Sequence, residues 1–147
     1  MVEIRRATPK DAPACAAILN AWIDATTWMP RCHTPTDVER HYREFVFTKR
    51  RIWVAGDPVA GYLSLDPEAQ EVTSLYAART REGLGKALLD RAKEDQRTLS
   101  LWTFEANIGA RRFYAREGFA EVARTAGDNE EGLPDIQFRW QRDEIGP

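Results

Sequence analysis

The chain has 147 residues, which is the size of one ordinary domain. Its composition, with 43% hydrophobic and 30% charged residues, is typical of a globular protein and excludes collagen-like, low-complexity and strongly disordered classes. Lys and Arg number 21 against 23 Asp and Glu, so the formal net charge of −2 argues against a general nucleic-acid binder. We therefore predict a single domain over residues 1–147 without a nucleic-acid partner.

The first half of the chain predicts one strand followed by two helices. Residues 2–6 alternate apolar and polar side chains, as a half-buried strand does. The pattern Thr-Pro-x-Asp, typical of a helix start, occurs at Thr8 and again at Thr34, with the irregular residues 26–31 between the two helices. The second helix presents an apolar face of Val38, Tyr42, Phe45 and Val46.

The second half of the chain begins with strands, because the apolar period changes to two. In chain order, the predicted elements are strands at 52–55, 59–65 and 71–77, a helix from Leu84, a strand at 99–104, a helix at 108–116, and strands at 119–124 and 135–141. This mixed order lacks the regular strand–helix alternation of a doubly wound fold. It predicts an α+β fold with a sheet covered by helices.

A glycine-rich turn, Gly83-Leu84-Gly85, connects the third of these strands to its helix. Glycines let the backbone approach a ligand, and the first turn of a helix offers unpaired N–H groups that suit a phosphate. Arg79, Arg81 and Lys86 add positive charge nearby. The turn lacks the last glycine of G-x-G-x-x-G and the Ser/Thr of a P-loop. By itself it fits a phosphate site and a purely structural turn equally well.

Two segments resemble motifs of the GCN5-related N-acetyltransferase (GNAT) superfamily. The first, Thr80-Arg81-Glu82-Gly83-Leu84-Gly85, is similar to Q/R-x-x-G-x-G/A, with Thr80 at the Q/R position and a slightly shortened loop before Gly83. Residues 107–119 resemble the more specific motif N-x-x-A-x-x-F-Y-x-x-x-G-F. The resemblance implies a single-domain GNAT-like fold, in which a mixed, mostly antiparallel twisted sheet is flanked by about four helices.

The same resemblance implies an acetyl-CoA-dependent N-acetyltransferase. In that family the acetyl group of acetyl-CoA, a co-substrate, passes directly to an amine within a ternary complex, and the acceptor is a small molecule or a protein. The residues that would bind acetyl-CoA are Leu75, Tyr76, Ala77, Arg79, Thr80, Arg81, Glu82, Gly83, Leu84, Gly85, Lys86, Asn107, Ala110 and Phe113. The backbone amide of Ala77 would also stabilise negative charge on the reacting carbonyl oxygen.

The chemistry requires a proton donor for the departing thiolate and a proton acceptor for the amine. Tyr114 is the candidate acid, because the resemblance places this tyrosine near the sulfur of CoA. Glu71 is the candidate base, at the position where histone-acetyltransferase-like members carry a glutamate. A water chain through Ser74, Tyr76 or a backbone carbonyl would do the same work.

The acceptor region of the resembled family falls between the first two helices, where this chain has Trp22, Trp28, Met29, Arg31 and His33. These residues do not identify the acceptor. Relatives are often dimers, so a homodimer is a further expectation, with Trp53 or the last strand at its interface. Two alternatives stay open. One is a non-catalytic acyl-CoA sensor, favoured by Thr80, and the other is an interaction domain whose tryptophans mark a partner surface.

The chain has few cysteines and histidines, and their number and spacing guide the predictions about metal binding and cellular compartment. Cys15 and Cys32 are too few for a disulfide framework, and no Cys/His pairs complete a zinc site, so no metal is predicted. The N-terminus lacks the apolar segment of a signal peptide, and no run approaches the ~20 apolar residues of a membrane span. We expect a cytoplasmic protein with reduced thiols and no membrane partner.

Overall fold

The computed structural model describes residues 2–79 and 82–143. Its strands form one seven-stranded sheet in the order β1-β2-β3-β4-β5-β7-β6. The strands are β1 (Ile4–Arg6), β2 (Arg51–Ala55), β3 (Gly61–Asp66), β4 (Glu71–Ala77), β5 (Thr98–Phe104), β6 (Ala120–Thr125) and β7 (Asp135–Gln141). The helices are α1 (Ala12–Ala25), α2 (Pro35–His41), the short α3 (Phe47–Lys49), α4 (Leu84–Asp95) and α5 (Ile108–Arg116). Within the described residues, none of these helices has the length and apolar character needed to cross a membrane.

The sheet opens between β4 and β5, its one parallel pair of strands. Their ladder is limited to a single pairing, Glu71 with Ser100, whereas the other neighbouring strands are antiparallel. Beyond this pairing a cavity lies between the two strands, lined by residues 72–76 of β4 and 101–104 of β5. The predicted α+β class is confirmed, and so is the mostly antiparallel sheet.

The core is divided between the two faces of the sheet. One buried cluster includes Leu84, Leu88, Leu89 and Ala92 of α4, which recur at the spacing of one helix face. The other cluster packs α1 and α2 against the sheet through Cys15, Ile18, Val38 and Tyr62 among others. Both faces are therefore covered by helices, as the mixed order of elements predicts.

Trp53 is buried in this core, which overturns the prediction that it forms an interface. Only 1% of the residue is exposed. The guanidinium groups of Arg6 and Arg91 lie 5.8 Å and 5.2 Å from its ring. Strand β2, which lies next to the edge strand β1, places Trp53 under these side chains, so a partner cannot contact the ring. A homodimer itself stays a prediction.

The apolar face predicted for the second helix is correct at Val38, Tyr42 and Val46 but wrong at Phe45. Residues Tyr42–Val46 form a π-helical segment that continues α2. A π-helix winds more widely than an α-helix, so the phase of its side chains shifts along the segment. Phe45 is 40% exposed as a result. Its ring stacks on His41 at 5.2 Å between centroids.

Both Thr-Pro-x-Asp segments begin helical structure. Thr34 caps α2, because its Oγ1 accepts a hydrogen bond of 3.1 Å from the backbone N–H of Asp37. At the first segment, Asp11 accepts a hydrogen bond from the backbone N–H of Thr8 at 2.8 Å. Arg5 donates two more bonds to the same carboxylate, at 2.8 and 2.9 Å. Asp11 therefore ties β1 to the start of α1.

We expect Asp11→Ala to lower the free energy of unfolding at neutral pH by about 1 kcal/mol, the usual effect of losing a helix-start carboxylate. The hydrogen bonds from Arg5 hold the pKa of Asp11 below its ordinary value, although burial opposes this. A carboxyl with a lowered pKa stabilises the fold above its unfolded-state pKa of about 4, and the effect is lost on acidification. Urea unfolding of wild type and variant should converge below that pH. A constant difference down to acidic pH would contradict this assignment.

Candidate active site

A cavity of about 560 Å³ lies beside the glycine-rich turn, and we call it the turn cavity. It is bounded by the end of β4, the start of α4 and one side of α5. Its lining consists of Leu75, Tyr76, Ala77, Arg79, Gly83, Leu84, Gly85, Lys86, Gly109, Ala110, Phe113, Tyr114, Arg116 and Glu117. Most of the residues predicted to bind acetyl-CoA therefore surround one space.

The glycines of the turn shape this cavity through their backbone. Gly83 adopts φ +75° as the N-cap of α4, a left-handed conformation that L side chains rarely take. Apart from its chain neighbours, no described residue has an atom within 4 Å of the position that a Cβ on Gly83 would occupy. At Gly85, a Cβ would come within 3.4 Å of the Phe113 ring. The first turn of α4 is thus open on one side and packed closely on the other.

The backbone of β4 is also free along this cavity. Residues 75–77 pair with β3 on one side, and on the other side no described strand pairs with them. The N–H of Ala78 donates to Ala60 of the β3 side at 2.6 Å. Successive N–H groups of a strand point in opposite directions, so the N–H of Ala77 points away from β3. That orientation agrees with its predicted role as a donor toward the reacting carbonyl.

Positive charges around the turn cavity differ in how fully they are neutralised. Arg79 pairs with Glu82 at 2.7 Å, and Lys86 pairs with Asp90 and Glu117, each at 3.2 Å. The guanidinium of Arg116 has no ion-pair partner among the described residues. Arg116 is therefore the cation of this lining that is most readily available to an anionic ligand.

A smaller cavity of about 120 Å³, the inner cavity, lies in the opening between β4 and β5. It adjoins the turn cavity, since Leu75, Tyr76, Ala110 and Tyr114 line both. Asn107 belongs to the inner cavity, where its Oδ1 also accepts a 3.1 Å hydrogen bond from the N–H of Ala110 and caps α5. Asn107 was predicted to bind acetyl-CoA, and that role stays a prediction.

Tyr114 stands at the junction of these two cavities. Its ring packs against Phe113, Phe119 and Phe138, with centroids 5.2 to 6.1 Å apart. Among the described residues, its hydroxyl has no hydrogen-bond partner. Burial raises the pKa of this hydroxyl above its ordinary value, so Tyr114 remains protonated through neutral and mildly alkaline pH. The side chain is a proton donor held in place by its ring alone.

A third cavity of about 680 Å³ has a largely aromatic inner wall, and we call it the aromatic cavity. Tyr76 is the side chain that it shares with both other cavities. Its apolar lining comprises Leu19, Trp22, Ile23, Met29, Pro30, Val38, Tyr76, Trp102 and Phe104. The remaining lining residues are Cys32, His33, Asp37, His41, Thr73, Glu130 and Glu131.

Residues of the acceptor region predicted from sequence form part of a cavity wall, and acceptor binding there stays a prediction. Trp22, Met29 and His33 line the aromatic cavity. Trp28 packs behind the wall, with its ring centroid 5.8 Å from those of Trp22 and Phe104. Arg31 is held by Asn20 and Asp24 through hydrogen bonds of 2.9 to 3.2 Å, so it anchors the segment that follows α1.

Buried hydroxyl groups lead from the core to the inner cavity. The hydroxyls of Tyr42 and Tyr62 are 2.5 Å apart, and Tyr42 lies 3.5 Å from the Oγ of Ser74. Ser74 lines the inner cavity. A polar group is therefore available on the β4 side of the space where Tyr114 lies.

Glu71, the predicted base, lies outside all three cavities. It occupies the closed end of the opening, where it pairs with Ser100. Burial raises the pKa of its carboxyl, and the charge of Asp66 raises it further while Arg50 lowers it. The structure therefore does not bring Glu71 and Tyr114 to one space, and its role as a base stays a prediction.

Three further predicted residues lie outside the turn cavity or outside the described chain. Glu82 pairs with Arg79 and does not line the cavity. Thr80 and Arg81 lie outside the described residues. Sequence reasoning missed Gly109, Arg116 and Glu117, although Gly109 and Arg116 stand four and three residues from Phe113, a spacing that places them on its helix face. No local signal marks Glu117.

Comparison with known proteins identifies the family. Residues 48–121 match the acetyltransferase (GNAT) domain. The peptidyl-lysine N-acetyltransferase YiaC of Escherichia coli K12 is 26% identical over 148 aligned positions, which cover 93% of this chain and 95% of YiaC. The chain belongs to the GNAT acetyltransferase family, whose co-substrate is acetyl-CoA.

Solved structures agree on the fold. The solution structure of apo YjaB from Escherichia coli has a TM-score of 0.76 and 23% identity, over 97% of this chain and 99% of YjaB. The yncA protein of Salmonella typhimurium, solved with its cofactor acetyl-CoA, has a TM-score of 0.72 and 22% identity, over 100% of this chain and 97% of yncA. At these identities, the likeness shows that all three proteins share the GNAT fold.

Proposed function

We propose that the protein transfers the acetyl group of acetyl-CoA to a primary amine of a small molecule or protein, directly, within a ternary complex. The observation that carries this proposal is the series of three adjoining cavities that meet at Tyr76. The turn cavity would hold acetyl-CoA, the inner cavity would enclose the reacting atoms, and the aromatic cavity would receive the acceptor.

The residues around the turn cavity fit acetyl-CoA chemically. The open side of Gly83 and the N-terminus of α4 suit the pyrophosphate, and Arg116 offers a cation without a described partner. The unpaired edge of β4 at residues 75–77 offers backbone groups for the amides of the pantetheine arm. No three His, Cys, Asp or Glu side chains cluster for a metal ion in residues 2–79 and 82–143.

Acetyl-CoA supplies a thioester, whose C–S bond breaks as the C–N bond to the neutral amine forms. Tyr114 lines the inner cavity, keeps its proton at neutral pH and would give it to the departing sulfur. The N–H of Ala77 would donate toward the carbonyl oxygen as negative charge develops there. Removal of water from around the reacting nitrogen in the inner cavity would disfavour the charged form of the amine and so assist its deprotonation.

The proton lost by the amine would leave through water beside Ser74. This route is favoured over direct transfer to Glu71 because Ser74 lines the inner cavity and Glu71 does not. Tyr42 would hold the Ser74 hydroxyl in place from the core side.

Acetyl-CoA at about 100 times its Kd is expected to stabilise the protein by about 2.7 kcal/mol, which raises Tm by roughly 5–10 °C. Arg116→Gln should weaken acetyl-CoA binding, and the difference from wild type should shrink at high salt, because an ion pair with phosphate is screened. Arg112→Gln on the same helix is the matched control, since Arg112 does not line the turn cavity. Thermal unfolding at low and high salt, with and without acetyl-CoA, measures the shift in Tm for wild type and for both variants.

Release of free thiol with an amine panel then tests transfer. Turnover that depends on the amine supports the proposed activity. Binding of acetyl-CoA without turnover of any amine would identify a sensor, and no thermal shift at millimolar acetyl-CoA would contradict the proposed site.

A further inference from the structure

Three carboxylates line the aromatic cavity, and they differ in whether another side chain already engages them. Glu130 contacts the ring nitrogen Nε2 of His33. Asp37 pairs with Arg40 at 3.2 Å. Glu131 has neither an ion pair nor a side-chain hydrogen bond with any of the described residues. It is half-buried, in contrast to its exposed neighbour Glu130.

The contact between Glu130 and His33 fixes where Glu131 lies. It joins the loop between β6 and β7 to the segment between α1 and α2, which form two sides of the aromatic cavity. Glu131 follows directly in this loop and lines the same cavity. Its charge acts on the hydroxyl of Tyr76 in the shared wall and on the thiol of Cys32, raising the pKa of each, although burial is the larger cause at both.

The aromatic cavity is suited to a cation. Its described lining contains two histidines but no Lys or Arg, and none of these side chains forms an ion pair with Glu131. Trp22 and Trp102 are among the lining residues, and tryptophan rings interact favourably with ammonium groups. A bound cation would supply the partner that the Glu131 carboxylate lacks among the described residues.

We propose that Glu131 selects acceptors in which a second cationic group is joined to the reacting amine by a short apolar chain. This proposal rests on the proposed acetyl transfer and concerns its acceptor. The apolar chain of the acceptor would lie against the aromatic wall, while the reacting amine lies in the inner cavity. The sources of such chemistry are a free diamine or a lysine next to a basic residue in a protein.

The cation held by Glu131 must be distinct from the reacting amine. A carboxylate beside the reacting nitrogen would favour its protonated form, which cannot attack a carbonyl. The inner cavity, where transfer would occur, is not lined by Glu131. Glu131 is therefore a specificity-determining residue and not the base.

The test compares 5-aminopentyl-trimethylammonium with its neutral carbon isostere, 6,6-dimethylheptan-1-amine. Each has one amine that can be acetylated, and they differ only in the remote charge. We expect wild-type KM to be about tenfold lower for the charged compound, with similar kcat. Glu131→Gln should remove this preference by raising KM for the charged compound alone. Asp128→Asn, the same change of charge on an exposed residue of the same loop, should preserve it.

Binding without turnover gives an independent readout. In the presence of CoA, which carries no acetyl group, the change in intrinsic tryptophan fluorescence, to which Trp22 and Trp102 of the cavity contribute, measures the Kd of each amine. Equal Kd values in wild type, no binding of either amine, or equal effects of Glu131→Gln on both would overturn the role of Glu131. Absence of acetyl transfer with every amine, despite the expected binding difference, would overturn the proposed function but retain the cation site.

Peptides distinguish the two sources. A lysine peptide with a neighbouring arginine is compared with the same peptide carrying citrulline, the neutral isostere. A preference for arginine that Glu131→Gln abolishes assigns the site to a protein acceptor. If wild type prefers the charged small amine but does not distinguish the arginine peptide from the citrulline peptide, the site is assigned to a free diamine.

Discussion

Replacing Tyr114 by Phe is expected to lower kcat for acetyl transfer roughly 100- to 1000-fold, within the usual range for loss of a general acid. The change removes one hydroxyl that has no described hydrogen-bond partner. It keeps the ring that packs against Phe113, Phe119 and Phe138. The fold should therefore tolerate the variant, and the loss should appear in the chemical step. Thiol-release kinetics at saturating acetyl-CoA measure it.

Two further measurements separate the acid role of Tyr114 from a structural one. The thermal shift produced by acetyl-CoA should be the same in Tyr114→Phe and wild type, because the hydroxyl is not needed to hold the ring. Burial raises the pKa of Tyr114, so the wild-type rate should not fall through loss of this proton until the pH exceeds the ordinary tyrosine value of about 10. An unchanged kcat in Tyr114→Phe would refute the assignment.

Leu88→Ala is expected to produce the largest loss of stability among the changes considered, about 2–5 kcal/mol in the free energy of unfolding. Leu88 is 0% exposed and belongs to the core under α4. It also contacts the sheet closely, since a Cβ built on Gly61 of β3 would lie 3.4 Å from Leu88 Cδ1. Small domains have a total stability of about 5–15 kcal/mol, so this loss is a large fraction.

The consequence of Leu88→Ala for ligand binding follows from its place in α4. The same helix presents its N-terminus to the turn cavity, so poorer packing should also weaken acetyl-CoA binding. Leu88→Met is the matched control, because a swap of similar volume usually costs less than about 1.5 kcal/mol. Urea unfolding and acetyl-CoA titration of both variants provide the measurements. Equal free energies of unfolding for Leu88→Ala and Leu88→Met would show that a cavity at residue 88 does not cause the loss of stability.

Local sequence patterns predicted much of the fold. The bounds expected for β4 and α5 agree with those observed, Glu71–Ala77 and Ile108–Arg116. Alternation of side chains and helix-capping residues act over a few positions, so they can be interpreted without knowing the rest of the chain. The prediction that Phe45 is buried was wrong because a π-helical segment changes the helix period. No residue type indicates such a segment in advance.

The motifs indicated residues of the turn cavity better than residues of the aromatic cavity. Gly83 and Gly85 lie in a continuous segment whose backbone conformation forms the turn cavity. The aromatic cavity instead combines α1, β4, β5 and the loop after β6, which are distant in sequence. The sequence pattern around Glu131 therefore does not indicate a site, and only the fold makes Glu131 a lining residue of this cavity.

The sequence by itself determined the element types, the α+β class and the motifs that identify the GNAT family, because these depend on short-range periodicity and on residues fixed at close spacing. The tertiary structure alone decided how the strands diverge after the single pairing of Glu71 with Ser100. That divergence places Tyr114 in the inner cavity and leaves Glu71 outside it. The contact of Glu130 with His33 brings the neighbouring Glu131 to the aromatic cavity. Such placements follow from packing between distant segments, whose free energies no local pattern encodes.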